Sequence, residues 1–291
     1  MTTFEKISKA AYLFFINPRL FLKYFISQVK RLTPKWKDFR PNNNLKKIDG
    51  IIFEIDFDYV GWDKYAKQIY FDCYEIAVVE MMKKVLKPGD IFIDIGANIG
   101  YLSAIGASLV GKEGQVHSFE PVLQSFQRLK KITEMNPDYK IILNNCALGD
   151  KSGVTKMDFA KPPHSSGSTL IPNSLNTNIS KESINVPVIR LDNYIKEKKL
   201  NKISLIKIDV EGFEFPVLKG LEDYFKINTQ RPTIICEIAP SAYQLLGYTR
   251  NQLIEYMKEF SYEAYNIMNP KLKADITKFK EGTEVVFKTS K

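Results

Sequence analysis

The fold is decided by the stretch Ile91-Phe-Ile-Asp-Ile-Gly-Ala-Asn-Ile-Gly100 and its sequel Gln115-Val-His-Ser-Phe-Glu-Pro121. The first stretch is typical of a short buried strand, a turn of small residues and the start of a helix, and the second of a strand that ends in an acid. Gly96 and Gly100 permit positive φ angles and let a ligand approach the backbone closely. Asn98 tolerates the left-handed region as well. Such a turn between parallel strands predicts a nucleoside-containing cofactor.

The identity of the cofactor depends on the acids around this turn. Glu120 stands 20 residues beyond Gly100, where nucleotide-binding folds place an acid on the ribose hydroxyls. The dinucleotide pattern G-x-G-x-x-G is incomplete, since its middle glycine is missing and Asp94 precedes the turn. An acid here would repel a pyrophosphate but suits an amine and a sulfonium. These features predict S-adenosylmethionine, with NAD and a cofactor-free α/β protein as the alternatives.

The length and composition are those of a soluble globular protein, for which one α/β domain with additions is expected. The chain has 291 residues, of which 44% are hydrophobic and 26% charged. Its three cysteines, Cys73, Cys146 and Cys236, are odd in number and far apart, which argues against a disulfide framework or a zinc site. They suit a reducing compartment, so we expect a cytoplasmic location.

The positive charge of the chain is concentrated at one end. Residues 1–40 contain nine Lys or Arg and two acids, so they carry +7 of the net charge of +9. The rest of the chain is nearly balanced, which argues against a general nucleic-acid-binding surface. We therefore divide the chain into a basic, aromatic N-terminal helical arm, residues 1–45, and a catalytic domain, residues 46–291.

The arm contains two apolar runs, Ala10–Ile16 and Leu20–Ile26, separated by Asn17-Pro18-Arg19. Each run is too short to span a bilayer, and no cleavage site of a signal peptide follows. Two interpretations stay open: a helical pair lying peripherally at a membrane surface, or an arm that packs on its own body or on a second subunit. On a membrane, anionic lipid would face the basic residues Lys6, Lys9, Lys23, Lys30 and Arg31.

Strands and helices alternate from Ile91 onward, which predicts a parallel sheet with helices on both faces. The last two strands, Tyr262–Ile267 and Glu284–Lys288, have no crossover helix between them, so we expect one to be antiparallel at the edge. An amphipathic helix is predicted for Phe71–Leu86, ahead of the sheet. The polar insertion Lys156–Leu191 predicts a lid or substrate loop, or else exposed decoration.

A second cluster of acids follows the buried strand in Leu205-Ile-Lys-Ile-Asp-Val-Glu-Gly-Phe-Glu214. Acids near a helix start can simply be solvated. Here, however, acids end four strands: Asp94, Glu120, Asp209 and Glu237. In open α/β sheets the carboxyl ends of the strands border one crevice, and ligands bind in it. We therefore expect these carboxyl groups to share one site.

With these motifs the sequence resembles the FkbM-type S-adenosylmethionine-dependent methyltransferases, over approximately Tyr70 to Ile267. The resemblance rests on Pro88-Gly-Asp90 before the first stretch, on Phe119-Glu-Pro121, Ala147-Leu-Gly-Asp150 and Leu191-Asp192, and on Lys207-Ile-Asp-Val-Glu-Gly-Phe-Glu214 with Leu218-Lys-Gly220. It implies the α/β class I methyltransferase fold, which is Rossmann-like, with a seven-stranded, mostly parallel sheet and helices on both faces. It also implies methyl transfer to a hydroxyl of a sugar, polyketide or other small molecule. The arm lies outside the resemblance.

The resemblance also implies roles for individual residues. The cofactor would contact the turn, the two following strand ends and the helix before the sheet, through Glu75, Asp94, Gly96, Asn98, Gly100, Glu120, Asn145, Cys146 and Ala147. Catalysis would rest on Asp209, with Glu211 and Glu237 close by. Asp209 would act as base or orienter of the acceptor hydroxyl. A Mg²⁺ ion held by Asp209 and Glu237 is the less favoured alternative.

Two histidines and an alternative function complete these expectations. His117 lies inside a strand, where a core position is the simplest explanation, and His164 lies in the polar insertion, where it could reach a substrate. The preferred function is an O-methyltransferase acting on a glycan, a glycolipid precursor or another small molecule. The alternative is a non-catalytic partner that binds the cofactor and uses the fold for interaction.

Overall fold

The computed structural model describes residues 14–15, 18–32, 39–48, 50–57, 63–160, 168–171 and 181–289. Within these ranges the helices are α1 (Pro18–Leu32), α2 (Asp63–Tyr70), α3 (Ile76–Val85), α4 (Tyr101–Val110), α5 (Leu123–Met135), α6 (Leu191–Glu197), α7 (Glu214–Lys219), α8 (Glu222–Ile227), α9 (Pro240–Tyr243) and α10 (Arg250–Glu259). The strands are β1 (Leu45–Ile48), β2 (Ile51–Glu54), β3 (Ile91–Ile95), β4 (Gln115–Phe119), β5 (Ile141–Asn144), β6 (Ala147–Leu148), β7 (Gly153–Ala160), β8 (Ser168–Thr169), β9 (Lys181–Ile189), β10 (Ile203–Ile208), β11 (Thr233–Ile238), β12 (Tyr262–Asn266) and β13 (Thr283–Thr289).

Seven strands form one mixed sheet in the spatial order β12, β13, β11, β10, β3, β4, β5. The pairs from β11 to β5 are parallel, which confirms the mostly parallel sheet of the class I methyltransferase fold. One of the last two strands is antiparallel, as expected, since β13 is antiparallel to both β11 and β12. Its expected position at the edge is wrong, because β13 lies between these two strands and β12 forms the edge. Val285, Val286 and Phe287 are all buried, so both faces of β13 are covered, as an interior strand requires.

Helices cover both faces of the sheet, and alternate strand residues enter opposite cores. Ile93 and Ile206 pack in the core formed with α6, α7, α8 and α10. Phe92 and Leu205 pack in the other core, formed with α2, α3, α4 and the hairpin of β1 and β2. His117 is also buried, with its Nδ1 2.8 Å from the hydroxyl of Tyr194, so its predicted core position is confirmed.

The helix expected for Phe71–Leu86 corresponds to α3, which begins only at Ile76 and ends at Val85. α2 ends at Tyr70 and α3 begins at Ile76, because Asp72 and Glu75 adopt left-handed backbone angles, with φ of 54° and 47°. Residues other than glycine disfavour this region. The break between α2 and α3 is therefore a specific feature of the structure. It places Glu75 directly before the first turn of α3.

The polar insertion contains strands where a loop is expected. β7 and β9 form an antiparallel hairpin, which β6 and β8 extend to a four-stranded sheet. The alternation of Ile184, Val186 and Val188 with polar residues accounts for it, since it gives β9 one apolar face. Residues 161–167 and 172–180, with His164, lie outside the described residues. A lid function for this segment therefore stays a prediction.

Within the arm, residues 14–15 and α1 are helical, whereas residues 39–44 are not and Leu45 begins β1. α1 packs on α3, and Lys23 forms an ion pair with Glu80. Lys6 and Lys9 lie outside the described residues. None of the helices described combines the length and the apolar content that crossing a bilayer would require.

Candidate active site

A cleft opens at the carboxyl ends of β3, β4, β10 and β11, the edge at which open α/β sheets bind ligands. We divide its lining into two halves. The loop half consists of Gly96–Asn98 after β3, Glu120 after β4, and Cys146–Leu148 after β5. The acid half consists of the carboxylic acids Glu75, Asp209, Glu211 and Glu237. The structure thus brings together residues that the sequence places far apart.

The turn after β3 is held by the neighbouring strand. The amides of Gly96 and Ala97 both donate to the carbonyl oxygen of Phe119, at 3.0 Å. Gly96 has a φ of +75°, and a Cβ at this position would lie 1.8 Å from the carbonyl oxygen of Asp209. Asn98 adopts the left-handed region, with a φ of 51°. Because Gly96 has no side chain, the backbones of the two halves contact each other directly.

Glu120 is buried and accepts hydrogen bonds from the amides of Asn98 and Val122, each at 2.8 Å. Burial raises the pKa of this carboxyl group to about 7, against the opposite effect of the two amides. A carboxylate has about four lone-pair positions. The two amides therefore leave acceptor capacity for the hydroxyl groups of a ligand.

Three of the predicted cofactor residues support the cleft without lining it. Asp94 is fully buried beneath the turn and accepts a hydrogen bond from Ser103 Oγ at 2.6 Å. Gly100 lets α4 approach α5, since a Cβ there would lie 2.6 Å from Leu129 Cδ1. Asn145 is exposed outside the cleft, and its Nδ2 donates to the carbonyl oxygen of Glu120 at 2.8 Å. Direct contact of these three with a cofactor stays a prediction.

Lys207 lines the cleft, and the sequence analysis missed it. Its Nζ lies 3.1 Å from Asp209 Oδ2, 4.0 Å from Asp94 Oδ1 and 3.4 Å from the carbonyl oxygen of Gly96. Burial alone would lower the pKa of this ammonium, but Asp209 and Asp94 raise it above its ordinary value. Lys207 therefore stays charged and ties the two halves together. The available signal was a lysine in the middle of an otherwise apolar strand.

Asp209 and Glu237 share a hydrogen bond between their carboxyl groups at the centre of the acid half. Burial alone would raise the pKa of Asp209, but Lys207 and this hydrogen bond lower it. Burial and the charge of Asp209 raise the pKa of Glu237 to about 10. At neutral pH the shared proton therefore belongs to Glu237. Among the described residues, no group of three or more Asp, Glu, His or Cys side chains is arranged to hold a metal ion.

Glu75 belongs to a second carboxyl pair, with Glu284 of β13. Burial, followed by the charges of Glu284 and Asp209, raises the pKa of Glu75 to about 8. Glu284 stands opposite Glu237 in the antiparallel register of β11 and β13. Glu284 is not among the residues expected at the site, because only this register brings it beside Glu237. No motif in the sequence indicates the pairing.

Glu211 lies at the mouth of the cleft on a strained backbone. Its φ is 53°, and the surrounding protein together with the charge of Asp209 raises the pKa of its carboxyl group to about 7. Of the six described non-glycine residues with positive φ, three line this cleft: Glu75, Asn98 and Glu211. Backbone strain of this kind concentrates at functional sites. The strain therefore supports a functional role for both halves.

The chemistry of the lining fits S-adenosylmethionine. Oδ1 of Asn98 is buried and has no hydrogen-bond partner among the described residues, so it can accept a hydrogen bond from a ligand. Glu120 keeps acceptor capacity for ribose hydroxyls. The charged carboxylate of Asp209 suits a sulfonium, since opposite charges in a partly desolvated cleft attract strongly. Apolar surface for an adenine comes from Phe119 and Leu148.

Comparison with known proteins agrees with this site. The methyltransferase FkbM domain matches residues 94–264, more than half of the chain. The 31-O-demethyl-FK506 methyltransferase FkbM of Streptomyces tacrolimicus is 30% identical over 182 residues, which cover 54% of this chain and 67% of that protein. Hexuronic acid methyltransferase AglP of Haloferax volcanii is 27% identical over 144 residues, covering 50% and 55% of the two chains. The chain spans about half to two thirds of the length of these curated relatives.

Among solved structures, fibrillarin of Aeropyrum pernix with natively bound S-adenosyl-L-methionine has a TM-score of 0.41 and 9% identity, over 72% of each chain. At this TM-score the likeness carries no argument about the site. The domain match is the stronger finding, and it runs from Asp94 past Glu237, through most of the residues that line the cleft. The chain belongs to the methyltransferase FkbM domain family.

Proposed function

We propose that this protein is an S-adenosylmethionine-dependent O-methyltransferase, whose acceptor is a hydroxyl group of a sugar, glycan, glycolipid precursor or other small molecule. Family membership supports methyl transfer with this cofactor. The observation that carries the acceptor chemistry is the acid half, which directly adjoins the loop half at Gly96 and Asp209. An alcohol acceptor must be oriented and must lose a proton, and carboxyl groups can do both.

The cofactor, when bound to the loop half, supplies an electrophilic methyl group on a sulfonium. The residues of the chain then have to hold the acceptor oxygen in line with that methyl group, because alignment provides most of the acceleration in such a displacement. We assign this task to Asp209, whose lowered pKa keeps it a hydrogen-bond acceptor at neutral pH. Lys207 and the protonated Glu237 hold its carboxylate in place.

We assign to Glu211 the role of the general base that accepts the proton of the acceptor hydroxyl. A general base works best when its pKa lies near the operating pH, and the pKa of Glu211 is about 7. Asp209 is a weaker base because Lys207 lowers its pKa, and Glu237 already carries a proton at neutral pH. Glu211 is also exposed at the cleft mouth, from where it can release the proton to water.

Aromatic residues that line the cleft next to the acid half support a hydroxyl-rich acceptor. Tyr65 and Tyr74 line the cleft beside Glu75, with ring centroids 5.8 Å apart. Aromatic surface with a few convergent polar groups is typical of small-molecule sites. The names of the two relatives refer to a 31-O-demethyl compound and to a hexuronic acid, both of which offer oxygen acceptors. These points support oxygen over nitrogen or carbon as the methylated atom.

Transfer of an isotopically labelled methyl group to glycan and lipid extracts of the source organism tests this proposal. We expect labelled material that resists alkali, as methyl ethers do, in the presence or absence of EDTA. Asp209→Asn should abolish labelling, whereas Asp138→Asn, at an exposed ion pair with Lys112, should not. Alkali-labile label would indicate a methyl ester and contradict a hydroxyl acceptor. Cofactor binding without any labelling would favour a non-catalytic partner.

A further inference from the structure

The arm exposes an apolar surface on α1 and the two described residues before it. Four residues at the helical spacing i, i+3, i+4, i+7 form its stripe: Leu22, Phe25, Ile26 and Val29, each 42–55% exposed. Phe14 and Phe15 add to it, and Phe15 is 82% exposed. Of the thirteen large hydrophobic residues that are exposed in the described structure, these six lie in α1 or directly before it. We call this set the arm surface.

Aromatic rings on the arm contact one another. The ring of Phe14 lies 5.4 Å from that of Phe15 and 5.2 Å from that of Phe21. Phe21 in turn stacks on Phe25, at 5.8 Å. Edge and stacked contacts at these distances stabilise aromatic clusters. The arm therefore presents a preformed aromatic wedge, because its rings already pack together without a partner.

The charge of the arm identifies the kind of partner that fits. α1 contains Arg19, Lys23, Lys30 and Arg31 and no acidic residue. Arg19 is exposed at the edge of the stripe, and Lys23 contacts Glu80 of the body. A helix with an exposed aliphatic and aromatic face and only basic charges is typical of segments that lie in the interface of anionic membranes.

We infer that the arm surface docks on an anionic lipid bilayer, with the helix axis of α1 parallel to the membrane plane. The apolar stripe and the aromatic wedge enter the boundary between headgroups and acyl chains, while Arg19 at the edge of the stripe remains among the lipid headgroups. The opposite side of α1 rests on α3. The body of the protein is therefore held at the membrane without being inserted into it.

Two other partners fit the surface less well. The body of the same chain leaves the stripe exposed, since α1 faces α3 through Lys23 and Glu80. A second copy would meet the arm through the same surface on both subunits, because most dimers are symmetric. That arrangement would bring two copies of α1 into contact. Each copy has four basic residues and no acidic residue, so the two helices would repel each other.

The docked arm lies beside the cleft. The groove between α1 and α3 is lined by Lys23 and Glu80 and also by Tyr74 and Tyr101, and both tyrosines line the cleft as well. Membrane docking would thus hold the cleft close to the lipid surface. If the proposed methyl transfer is correct, this position gives access to an acceptor carried on a lipid. The docking itself does not depend on that reaction.

Vesicle flotation of the full chain tests the inference. We expect the protein to float with vesicles of phosphatidylcholine and phosphatidylglycerol, and to stay at the bottom with phosphatidylcholine alone or in high salt. The double variant Leu22→Glu, Phe25→Glu should lower the partition coefficient by about tenfold or more. The matched control Val154→Glu, Ile227→Glu changes two exposed apolar residues of the body and should float like the wild type.

A second variant covers the case in which two glutamates unfold α1. Arg19→Gln with Lys30→Gln keeps the apolar stripe and should reduce binding to the anionic vesicles by about 25-fold, because each basic residue near the surface contributes roughly a factor of five. Equal flotation of all variants, or no flotation of the wild type, would overturn the inference. A concentration-dependent dimer that Leu22→Glu, Phe25→Glu abolishes would instead assign the arm surface to a second copy.

Discussion

The loop half and the acid half of the cleft face the same ligand space but are built differently. The loop half comes from a single part of the sequence, residues 96–148, and backbone hydrogen bonds to Phe119 and Glu120 determine its shape. The acid half collects side chains from three separate segments, and carboxyl pairs that share protons hold it together. One half is defined by backbone geometry, and the other by protonation.

This difference explains the division of labour in the proposed reaction. Backbone amides do not titrate, so the turns of the loop half keep their shape over a wide pH range, and Glu120, with a pKa of about 7, is the residue there whose charge changes near neutrality. The carboxyl groups of Glu75 and Glu211 have pKa values of about 8 and 7, so their charge changes near neutrality. A binding half with constant geometry therefore adjoins a half in which proton transfer is easy.

The contact between the two halves is most sensitive at Gly96. Gly96→Ala would place a Cβ 1.8 Å from the carbonyl oxygen of Asp209, so the turn and β10 would have to separate. We expect a loss of about 3 kcal/mol or more of stability, or loss of cofactor binding, measured by urea denaturation and calorimetry. Gly89→Ala is the control, because its φ is +87° but no atom lies within 4 Å. Equal losses of stability would show that the halves do not constrain each other.

The acid half can be disabled separately at Asp209. Asp209→Asn keeps the shape of the side chain but removes the charge that faces the acceptor, so turnover should fall by about 100-fold or more. Cofactor binding should fall less, by about tenfold at most, since the loop half is intact and only the attraction between this carboxylate and the sulfonium is lost. Steady-state kinetics beside calorimetry would measure both. A parallel loss of binding and turnover would mean that the two halves act as one.

The pH dependence of cofactor affinity tests the electrostatic role of the acids in both halves. Glu120, Glu211 and Glu75 lose protons between roughly pH 6 and 8, given pKa values of about 7, 7 and 8, and a bound cation favours their ionised forms. Affinity for S-adenosylmethionine should therefore rise roughly three- to tenfold from pH 6 to pH 8. S-adenosylhomocysteine is the control, because it lacks the sulfonium charge. An identical rise for both ligands would contradict the electrostatic role of these acids.

The smallest expected effect concerns the proton shared by Asp209 and Glu237. The pKa of Glu237 is raised by folding from 4.5 to about 10, so its contribution to stability is complete below pH 4.5 and is lost as the pH rises towards 10. Glu237→Gln removes this loss, and the variant should be more stable than the wild type at pH 9 by about 1 kcal/mol, since the carboxyl group is partly solvated. Thermal melts from pH 5 to pH 9 would measure it. Parallel melting curves would place the proton elsewhere.

Local patterns allowed much of the fold to be predicted. The strand, turn and helix start expected from Ile91 to Gly100 are present, and the left-handed Asn98 follows from the spacing of small residues after β3. The hairpin of β7 and β9 was missed, because the turn-forming residues of the insertion obscured the alternation in β9. The position of β13 was also missed, since strand order depends on contacts distant in sequence.

The sequence by itself indicated the loop half, because its small residues and Glu120 stand at recognisable positions directly after two consecutive strands. It also placed acids at four strand ends and concentrated the positive charge in the arm. Only the tertiary structure decided which of these acids meet, since the sheet register brings Glu284 beside Glu237 and the burial of Lys207 fixes the charge of Asp209. Protonation depends on neighbours and on burial, and neither can be read from the order of residues.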